Sequence, residues 1–418
     1  MKNKLSKLVN AYQKYDLKTF VHKCSGYIRS RFFDRFNLGT VFNAHERRHE
    51  IVEALNGEYD RVILWRSTLG YKAELLQRPQ HIFDSLADQG CLVFYEVNTM
   101  TDGIKELYKE KENMYLFNFN NMKLNCILME ELSRIEKPKF IDFFSTDYNL
   151  SVSDVESYMK QGFGVIYEYI DHISAEIAGM TEIPKNIIEK YQFAMDNEEV
   201  FVIVTADKLL ADVISKRGKR NLALSTNGVD YSFFREIGEY KFEPEFARLI
   251  GDDKPVLCYY GVIAQWFDYK ILRMLNDSGK YTILLFGLKY DDSFEKNGVG
   301  KMSNVHFMGP RDYSVLKYYA NKADVMMIPF IINDITAATN PVKLFEYMAL
   351  HKPIVTTDMI ECRKYKSVLV ASDAEDFMRK VEKAIKLADD KNYIELLDRE
   401  ARENDWSAKA KAMINLIS

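Results

Sequence analysis

A lysine and a glutamate three residues apart, Lys343 and Glu346, occupy the stretch NDITAATNPVKLFEYMALHKPIVTTD. Asn340 favours an N-cap and Pro341 suits the first helical position, so the stretch predicts a short helix over residues 341–350. The unpaired amides and the dipole at the start of such a helix favour an anion. A lysine in the first turn opposes the dipole, and a bound anion would reverse that cost. The alternative is an ordinary capped helix of an α/β unit.

Three other side chains have chemical potential. Asp171 and His172 end the predicted strand at residues 164–169, and an acid beside an imidazole is suited to orienting a hydroxyl group. The alternative for this pair is a structural role. Arg78 follows a strand and precedes Pro79, which predicts that it projects from a helix start into a cleft and binds a phosphate. The alternative is a surface salt bridge.

The elements that must position these residues alternate between strand and helix from Asp60 onward. A helix is predicted over residues 78–90, where glycine closes it. Strands are predicted at residues 61–65, 91–97, 114–118, 140–144, 164–169, 200–205, 222–225, 255–260, 281–286, 305–308, 325–329, 354–357 and 368–370. This rhythm indicates two parallel sheets flanked by helices, and ligands bind at the carboxyl ends of such strands.

Composition narrows the class of protein. The chain has 418 residues, 47% of them hydrophobic and 28% charged, which predicts two globular domains. We find no apolar run long enough to span a bilayer and no signal-peptide pattern, so a cytoplasmic protein is expected. The five cysteines are widely scattered, which favours neither a zinc site nor a disulfide framework. The net charge of −4 argues against a nucleic-acid partner.

The beginning of the chain is basic. Residues 1–48 carry eleven lysines and arginines against three acids, with apolar residues at roughly helical spacing among them. This pattern is typical of a basic amphipathic helix pair on an anionic membrane surface, which would place the protein peripherally on the inner face of the cell membrane. The alternative is a helical extension packed on the catalytic body.

Several motifs, taken in order, resemble the two-domain GT-B glycosyltransferases, specifically retaining enzymes of family 4. They are QRPQHIFDSLADQG, VTADKLLADVISKRG, LSTNGVDYSFF, YYGVIAQWFD, FMGPRDYSVLKYYANKADVMMIPF, NPVKLFEYMALHKPIVTT and the tail ENDWSAKAKAMINLI. The resemblance implies two Rossmann-like α/β domains facing a central cleft. We therefore expect a basic helical extension at 1–58, an acceptor domain at 59–235, a nucleotide-sugar donor domain at 236–395 and a final helix, 396–418, crossing back to the acceptor domain.

The same resemblance implies roles for individual residues. The helix that begins at Pro341 would cradle the donor diphosphate, Lys343 would stabilise the leaving group, and Glu346 would bind the donor ribose. Asp171 and His172 would lie near the anomeric carbon. The donor-binding residues implied in this way are Gly261, Gly287, Arg311, Asp334, Thr339, Asn340, Val342, Lys343 and Glu346.

The sequence departs from the family pattern in two places. Family members commonly carry another acid eight residues before the ribose-binding glutamate, where this chain has Ala338. Either Asp334 replaces it, or backbone amides at 336–339 hold the donor. The second departure is the missing arginine after the first strand of the donor domain. Lys270, Arg78 and Arg311 are the candidate replacements.

The implied activity is transfer of a sugar from a nucleotide-sugar donor to a glycan or to a polyprenyl-diphosphate-linked acceptor, with retention of configuration, in bacterial surface-polysaccharide synthesis of the teichuronic-acid type. No cofactor is expected, and the lack of a D-x-D motif at a cleft-facing strand end predicts no metal. The alternatives are a catalytically silent GT-B-like protein that binds glycan or a partner, and a nucleotide-sugar epimerase. A Rossmann oxidoreductase is disfavoured because no G-x-G-x-x-G follows the early strands.

Overall fold

The computed structural model describes residues 42–67, 69–72, 76–175 and 182–418. Its helices are α1 (Ala44–Leu55), α2 (Arg78–Asp88), α3 (Thr99–Asp102), α4 (Met122–Leu132), α5 (Val152–Lys160), α6 (Lys185–Asp196), α7 (Asp207–Arg217), α8 (Tyr231–Arg235), α9 (Pro244–Leu249), α10 (Tyr269–Ser278), α11 (Ser293–Lys296), α12 (Tyr313–Ala320), α13 (Asp334–Ala337), α14 (Val342–Ala349), α15 (Ala374–Leu387), α16 (Lys391–Glu403) and α17 (Trp406–Leu416). Its strands are β1 (Arg61–Trp65), β2 (Cys91–Glu96), β3 (Leu107–Lys111), β4 (Met114–Phe117), β5 (Lys139–Phe144), β6 (Gly164–Tyr169), β7 (Phe201–Val204), β8 (Leu222–Leu224), β9 (Val256–Tyr260), β10 (Thr282–Phe286), β11 (Val305–Gly309), β12 (Val325–Ile328), β13 (Ile354–Thr357) and β14 (Val368–Ala371).

The described residues fall into two compact units. The first comprises residues 42–67, 69–72, 90–143 and 153–164. Its strands lie in the order β3-β4-β2-β1-β5, and all neighbours are parallel except β3 and β4. The edge strand β3 was not predicted, because its sequence LYKEK is largely polar and half-buried or exposed.

The second unit comprises residues 76–89, 144–152, 165–175 and 182–418. Strands β6, β7 and β8 lie side by side and parallel, and a separate parallel sheet has the order β11-β10-β9-β12-β13-β14. Every residue of β9 and β10 is buried, as expected for strands covered on both faces. The strands predicted from sequence are present, with ends that agree to within one residue.

Helix α1 begins the described part of the chain within the first unit. Its Arg47 donates to Glu106 at 2.8 Å, and Arg48 forms ion pairs with Glu130 and Glu131. These two basic side chains are therefore paired within the unit. The rest of the predicted membrane-binding arm, residues 1–41, lies outside the described residues. Among the helices that are described, none is long and apolar enough to cross a membrane.

Candidate active site

Helix α14 begins one residue later than the sequence predicted, with Pro341 rather than Asn340 at the N-cap. The prediction of an Asn340 cap was wrong because that side chain has other partners. Its Oδ1 accepts the backbone N–H of Asn227 at 3.0 Å, and its Nδ2 donates to Glu361 at 3.0 Å. Asn340 is 3% exposed, so these contacts fix the entrance to the helix. The N–H of Leu344 donates to the carbonyl of Pro341 at 3.1 Å, so the first-turn amides available to a ligand are those of Val342 and Lys343.

Lys343 lies in that first turn and is partly buried. Its Nζ is 5.6 Å from the centre of the Tyr259 ring and 5.2 Å from that of Phe330. Burial lowers the pKa of Lys343 to about 8, although the nearby Glu346 carboxylate favours the charged form. The chain thus holds a partly buried amine among aromatic rings at the carboxyl end of β9.

Two glycines make room for this amine. Gly261 follows β9 with φ +133° and Gly287 follows β10 with φ +131°, a conformation that side-chain-bearing residues rarely adopt. A Cβ on Gly261 would lie 2.9 Å from Cε of Lys343, and a Cβ on Gly287 would lie 1.9 Å from the carbonyl oxygen of Gly261. The backbones of both strand ends therefore pack directly against each other and against the lysine.

Gly287→Ala is expected to destabilise the protein by about 2 kcal/mol or more, because the added methyl group collides with backbone and the positive φ adds strain. Urea denaturation of both proteins measures the difference. Gly300→Ala is the matched control, since a Cβ there meets nothing within 4 Å. Equal urea midpoints for wild type and Gly287→Ala would contradict the prediction, because they would show that the ends of β9 and β10 can move apart at little cost in free energy.

Glu346 is 4% exposed and accepts two tyrosine hydroxyl groups. Tyr260 donates to Oε2 at 2.7 Å, and Tyr313 donates to Oε1 at 3.0 Å. Burial raises the pKa of Glu346, whereas the two hydroxyls and Lys343 oppose that rise. A carboxylate has about four lone-pair sites, so each oxygen retains one for a further donor. Neither tyrosine was predicted from the sequence, because only the folded chain brings the end of β9 and the start of α12 to this helix.

The ring of Tyr313 is fixed from two sides. Phe233 stacks on it with ring centres 5.3 Å apart, and the His81 ring lies at 5.4 Å. His81 in turn stacks on Trp406 at 5.3 Å. Burial lowers the pKa of His81 to about 4, so this imidazole is neutral near pH 7. The hydroxyl that holds Glu346 is thus supported by α2, α8 and α17.

Arg311 lies near the two glycines. A pocket joins it to Gly261 and Gly287, with Pro310 and Leu316 among the other lining residues. The guanidinium donates to the carbonyl oxygens of Met308 at 2.6 Å and Pro310 at 3.1 Å. Its Nη2 also lies 3.5 Å from a carboxylate oxygen of Glu243, so the charge of Arg311 is shared between its own loop and that acid.

Asp171 and His172 follow β6. Burial raises the pKa of Asp171 to about 7, so its carboxyl group changes charge near neutral pH. Asp334 is paired with Lys208 of α7 at 2.8 Å, and its pKa is lowered by Lys208 and, to a smaller extent, by His172. The structure therefore brings the predicted residues Asp334 and His172 into one electrostatic neighbourhood.

The amides proposed as donor ligands are engaged within α13. The N–H groups of Thr336, Ala337, Ala338 and Thr339 donate to Asn333 Oδ1 and to the carbonyls of residues 333, 335 and 336, respectively. Ala338 is fully buried, so the position of the absent family acid is closed. The Thr339 hydroxyl donates to the carbonyl of residue 335 at 2.9 Å. Binding through the first turn of α14, at Val342 and Lys343, requires none of these bonds to break.

Arg78 does not project into a cleft as predicted, since it is 4% exposed. Its Nε pairs with Glu168 at 2.7 Å, and Nη1 donates to the carbonyl of Thr226 at 3.2 Å. A second candidate for the missing arginine, Lys270, extends from α10 with its side chain 68% exposed and pairs with Glu375 at 3.6 Å. Lys343 lies directly beside Gly261, since a Cβ there would be 3.4 Å from its Nζ.

The arrangement combines a partly buried amine, a helix start and an oriented carboxylate at the carboxyl ends of parallel strands. It suits an anion linked to a polyol. Within residues 42–67, 69–72, 76–175 and 182–418, no group of three or more His, Cys, Asp or Glu side chains is placed to hold a metal ion.

Solved structures show that the fold is GT-B, as predicted. WaaG, a glycosyltransferase involved in lipopolysaccharide biosynthesis, is 14% identical and superimposes over 85% of this chain and 99% of its own with a TM-score of 0.55. HepE of Anabaena, in complex with UDP and glucose, is 12% identical over 85% of this chain and 99% of its own, with a TM-score of 0.57.

Sequence comparison agrees with the fold. Residues 261–387 match the family of Glycosyl transferases group 1, which is the segment that carries Gly261, Lys343 and Glu346. TuaH of Bacillus subtilis, named as a teichuronic acid biosynthesis glycosyltransferase, is 26% identical over 258 residues. That alignment covers 58% of this chain and 64% of TuaH, which is less than two thirds of the relative.

Proposed function

We propose that this protein is a glycosyltransferase that moves a sugar from a nucleotide-sugar donor to a glycan or a polyprenyl-diphosphate-linked acceptor in bacterial surface-polysaccharide synthesis. The observation that carries the proposal is the amine of Lys343 beside Gly261, in the first turn of α14. An amine with a lowered pKa at a helix start gains most from a doubly charged ligand such as a diphosphate. The similarity to TuaH supports the biosynthetic setting.

In the proposed reaction, the first-turn amides of α14 and Lys343 bind the diphosphate and stabilise the charge that grows as the glycosidic bond breaks. Glu346 holds the ribose through the lone pairs left free by Tyr260 and Tyr313. The acceptor hydroxyl attacks from the face that the diphosphate leaves and gives its proton to the departing phosphate oxygen, so configuration is retained. Asp171 and His172 orient that hydroxyl. The chain's own groups carry the charge, and we propose that no metal or other cofactor is needed.

A panel of nucleoside diphosphates and nucleotide sugars, screened for thermal stabilisation, tests the proposal, because a ligand that binds the native state raises the melting temperature by mass action. We expect uridine diphosphate to stabilise the protein, in keeping with the UDP bound to HepE. A chain that binds no member of the panel is the silent GT-B-like alternative. Isomerisation of free donor without acceptor identifies an epimerase.

The hydroxyl of Tyr313 should tune the pH dependence of donor binding. Tyr313→Phe removes one hydrogen bond to Glu346. The pKa of Glu346 therefore rises, and its carboxylate becomes protonated at a higher pH than in the wild type. We expect the acid limb of UDP affinity to move up by about one pH unit, since a hydrogen bond to a charged group is worth about 1.5 kcal/mol or more. Calorimetric titration over a pH series measures it. Tyr318→Phe, on the same helix, is the control, and a limb that does not move contradicts the prediction.

We propose that the protein works at the inner face of the cell membrane, bound through residues 1–48. Deletion of residues 1–41 leaves α1 with its Arg47 and Arg48 ion pairs intact. We expect this deletion to reduce sedimentation with vesicles that contain anionic lipid, and more so at low salt, because surface charge attraction is screened by ions. Full-length protein that fails to sediment with the vesicles would make the arm a structural extension.

A further inference from the structure

A second cavity lies in the same unit, lined by the end of β6 and by helices α6 and α7. Its volume is about 330 Å³, which is in the range of sites for small organic ligands. The wall consists of Tyr169, Tyr191, Ile173, Ile188 and Leu209, with charged side chains among them. His172, which also lines the cavity, orients the acceptor hydroxyl in the proposed reaction, whereas the wall residues have no role in it.

The charges of the cavity are balanced. Lys216 forms an ion pair with Asp212 at 3.1 Å, and the Tyr191 hydroxyl donates to Asp212 and accepts from Lys216. The second cation, Lys208, is paired with Asp334. Because each ammonium group already has a carboxylate, the site offers no net positive charge to a phosphate or a uronate. It does offer both donors and acceptors to hydroxyl groups.

The remaining surface is apolar and aromatic. The rings of Tyr169 and Tyr191 meet edge to face with centres 5.4 Å apart, and Ile188 is 50% exposed. An aromatic and aliphatic wall combined with paired charges matches a pyranose ring, which has C–H faces and a rim of hydroxyls. A prenyl chain would leave the charged groups of the cavity without hydrogen-bonding partners in the ligand.

We propose that this cavity binds a neutral sugar ring of the acceptor glycan. His172 and Lys208 both line the cavity, and the partner of Lys208 is Asp334, a predicted donor-binding residue. The role of the cavity in transfer rests on the proposed function. Sugar binding by the cavity can be measured without any transfer.

The test compares methyl glucoside with glucuronic acid as probes, by saturation-transfer NMR on the full chain with excess UDP present. We expect saturation of the neutral methyl glucoside and little of the anionic sugar. Ile188→Trp fills the cavity from an exposed position, which spares the core, and should weaken the methyl glucoside signal by about tenfold. Met122→Trp, at another exposed apolar residue, is the matched control and should bind like wild type.

Two results would overturn the cavity assignment: methyl glucoside binding that is unchanged in Ile188→Trp, or stronger binding of glucuronic acid than of methyl glucoside. Asp212→Asn gives an independent check. It removes the carboxylate that balances the charge of Lys216, and it should also weaken the binding of methyl glucoside. UDP affinity is expected to be the same in both variants and in wild type. If the wild type does not bind UDP, the transferase proposal is refuted instead. Failure of the cavity assignment can therefore be told apart from failure of the transferase proposal.

Discussion

Replacing Lys343 with methionine is expected to lower kcat by ~10²–10³-fold and to weaken UDP binding, which is the usual cost of removing a group that stabilises developing charge. Methionine keeps much of the volume between Gly261 and the rings of Tyr259 and Phe330, so the fold should survive. Steady-state kinetics and calorimetry measure the two effects. Lys270→Met removes a lysine whose side chain is 68% exposed and should leave both unchanged.

The lowered pKa of Lys343 predicts that UDP binding is accompanied by the uptake of a proton. The pKa of Lys343 in the free protein is about 8, so above that pH the amine is mostly neutral, and a bound diphosphate must recharge it. UDP affinity should therefore fall as the pH rises through 8, and binding there should take up a proton. Calorimetry in two buffers of different ionisation enthalpy detects the uptake, which Lys343→Met should abolish. If Lys343→Met keeps the turnover and UDP affinity of the wild type, Lys343 is not part of the donor site.

Replacing Glu346 with glutamine is expected to lower kcat/KM for the donor by about 100-fold, because hydrogen bonds to a charged group are worth about 1.5–3 kcal/mol each. Glutamine preserves the shape and one acceptor oxygen for Tyr260 or Tyr313, whereas alanine would leave both hydroxyls unpaired. The sharper readout is ribose discrimination. Wild type should prefer UDP over 2′-deoxy-UDP, and the preference should shrink in Glu346→Gln.

Glu400→Gln is the control for loss of a buried carboxylate. Glu400 is 8% exposed and accepts from the backbone of Lys366 and Ser367, so its replacement should lower stability without changing ribose discrimination. If Glu346→Gln keeps the full preference for UDP over its deoxy analogue, the carboxylate does not read the ribose.

The sheets were predictable because their strands are short, nearly continuous apolar runs bounded by polar turns. Strand β10, with all five residues buried, is an example, whereas the polar edge strand β3 carries no such signal. The helix that carries Lys343 and Glu346 was predicted to within one residue at each end. Its N-cap was not, because the carboxamide of Asn340 is bound by Asn227 and Glu361, which lie 113 and 21 residues away along the chain.

The surroundings of the candidate site were less accessible from sequence. Tyr260 and Tyr313 are 86 and 33 residues from Glu346, and no local pattern marks a hydroxyl that will reach a distant carboxylate. Arg78 was predicted to face a ligand because it precedes Pro79, but its actual partner, Glu168, lies 90 residues along the chain. Motifs locate chemistry on an element, whereas the partners of a buried charge depend on tertiary packing.

The contact between Gly261 and Gly287 also bears on protein engineering. Ile263 donates its N–H to the carbonyl of Leu288 at 2.9 Å, and Tyr290 returns a bond to the carbonyl of Ile263 at the same distance. These two backbone hydrogen bonds thus join the loop after β9 to the loop after β10. If only one loop is replaced by that of a related enzyme, its backbone will not be placed to form these hydrogen bonds with the other loop. Donor-loop grafts in this scaffold should therefore transplant both segments together as a single cassette.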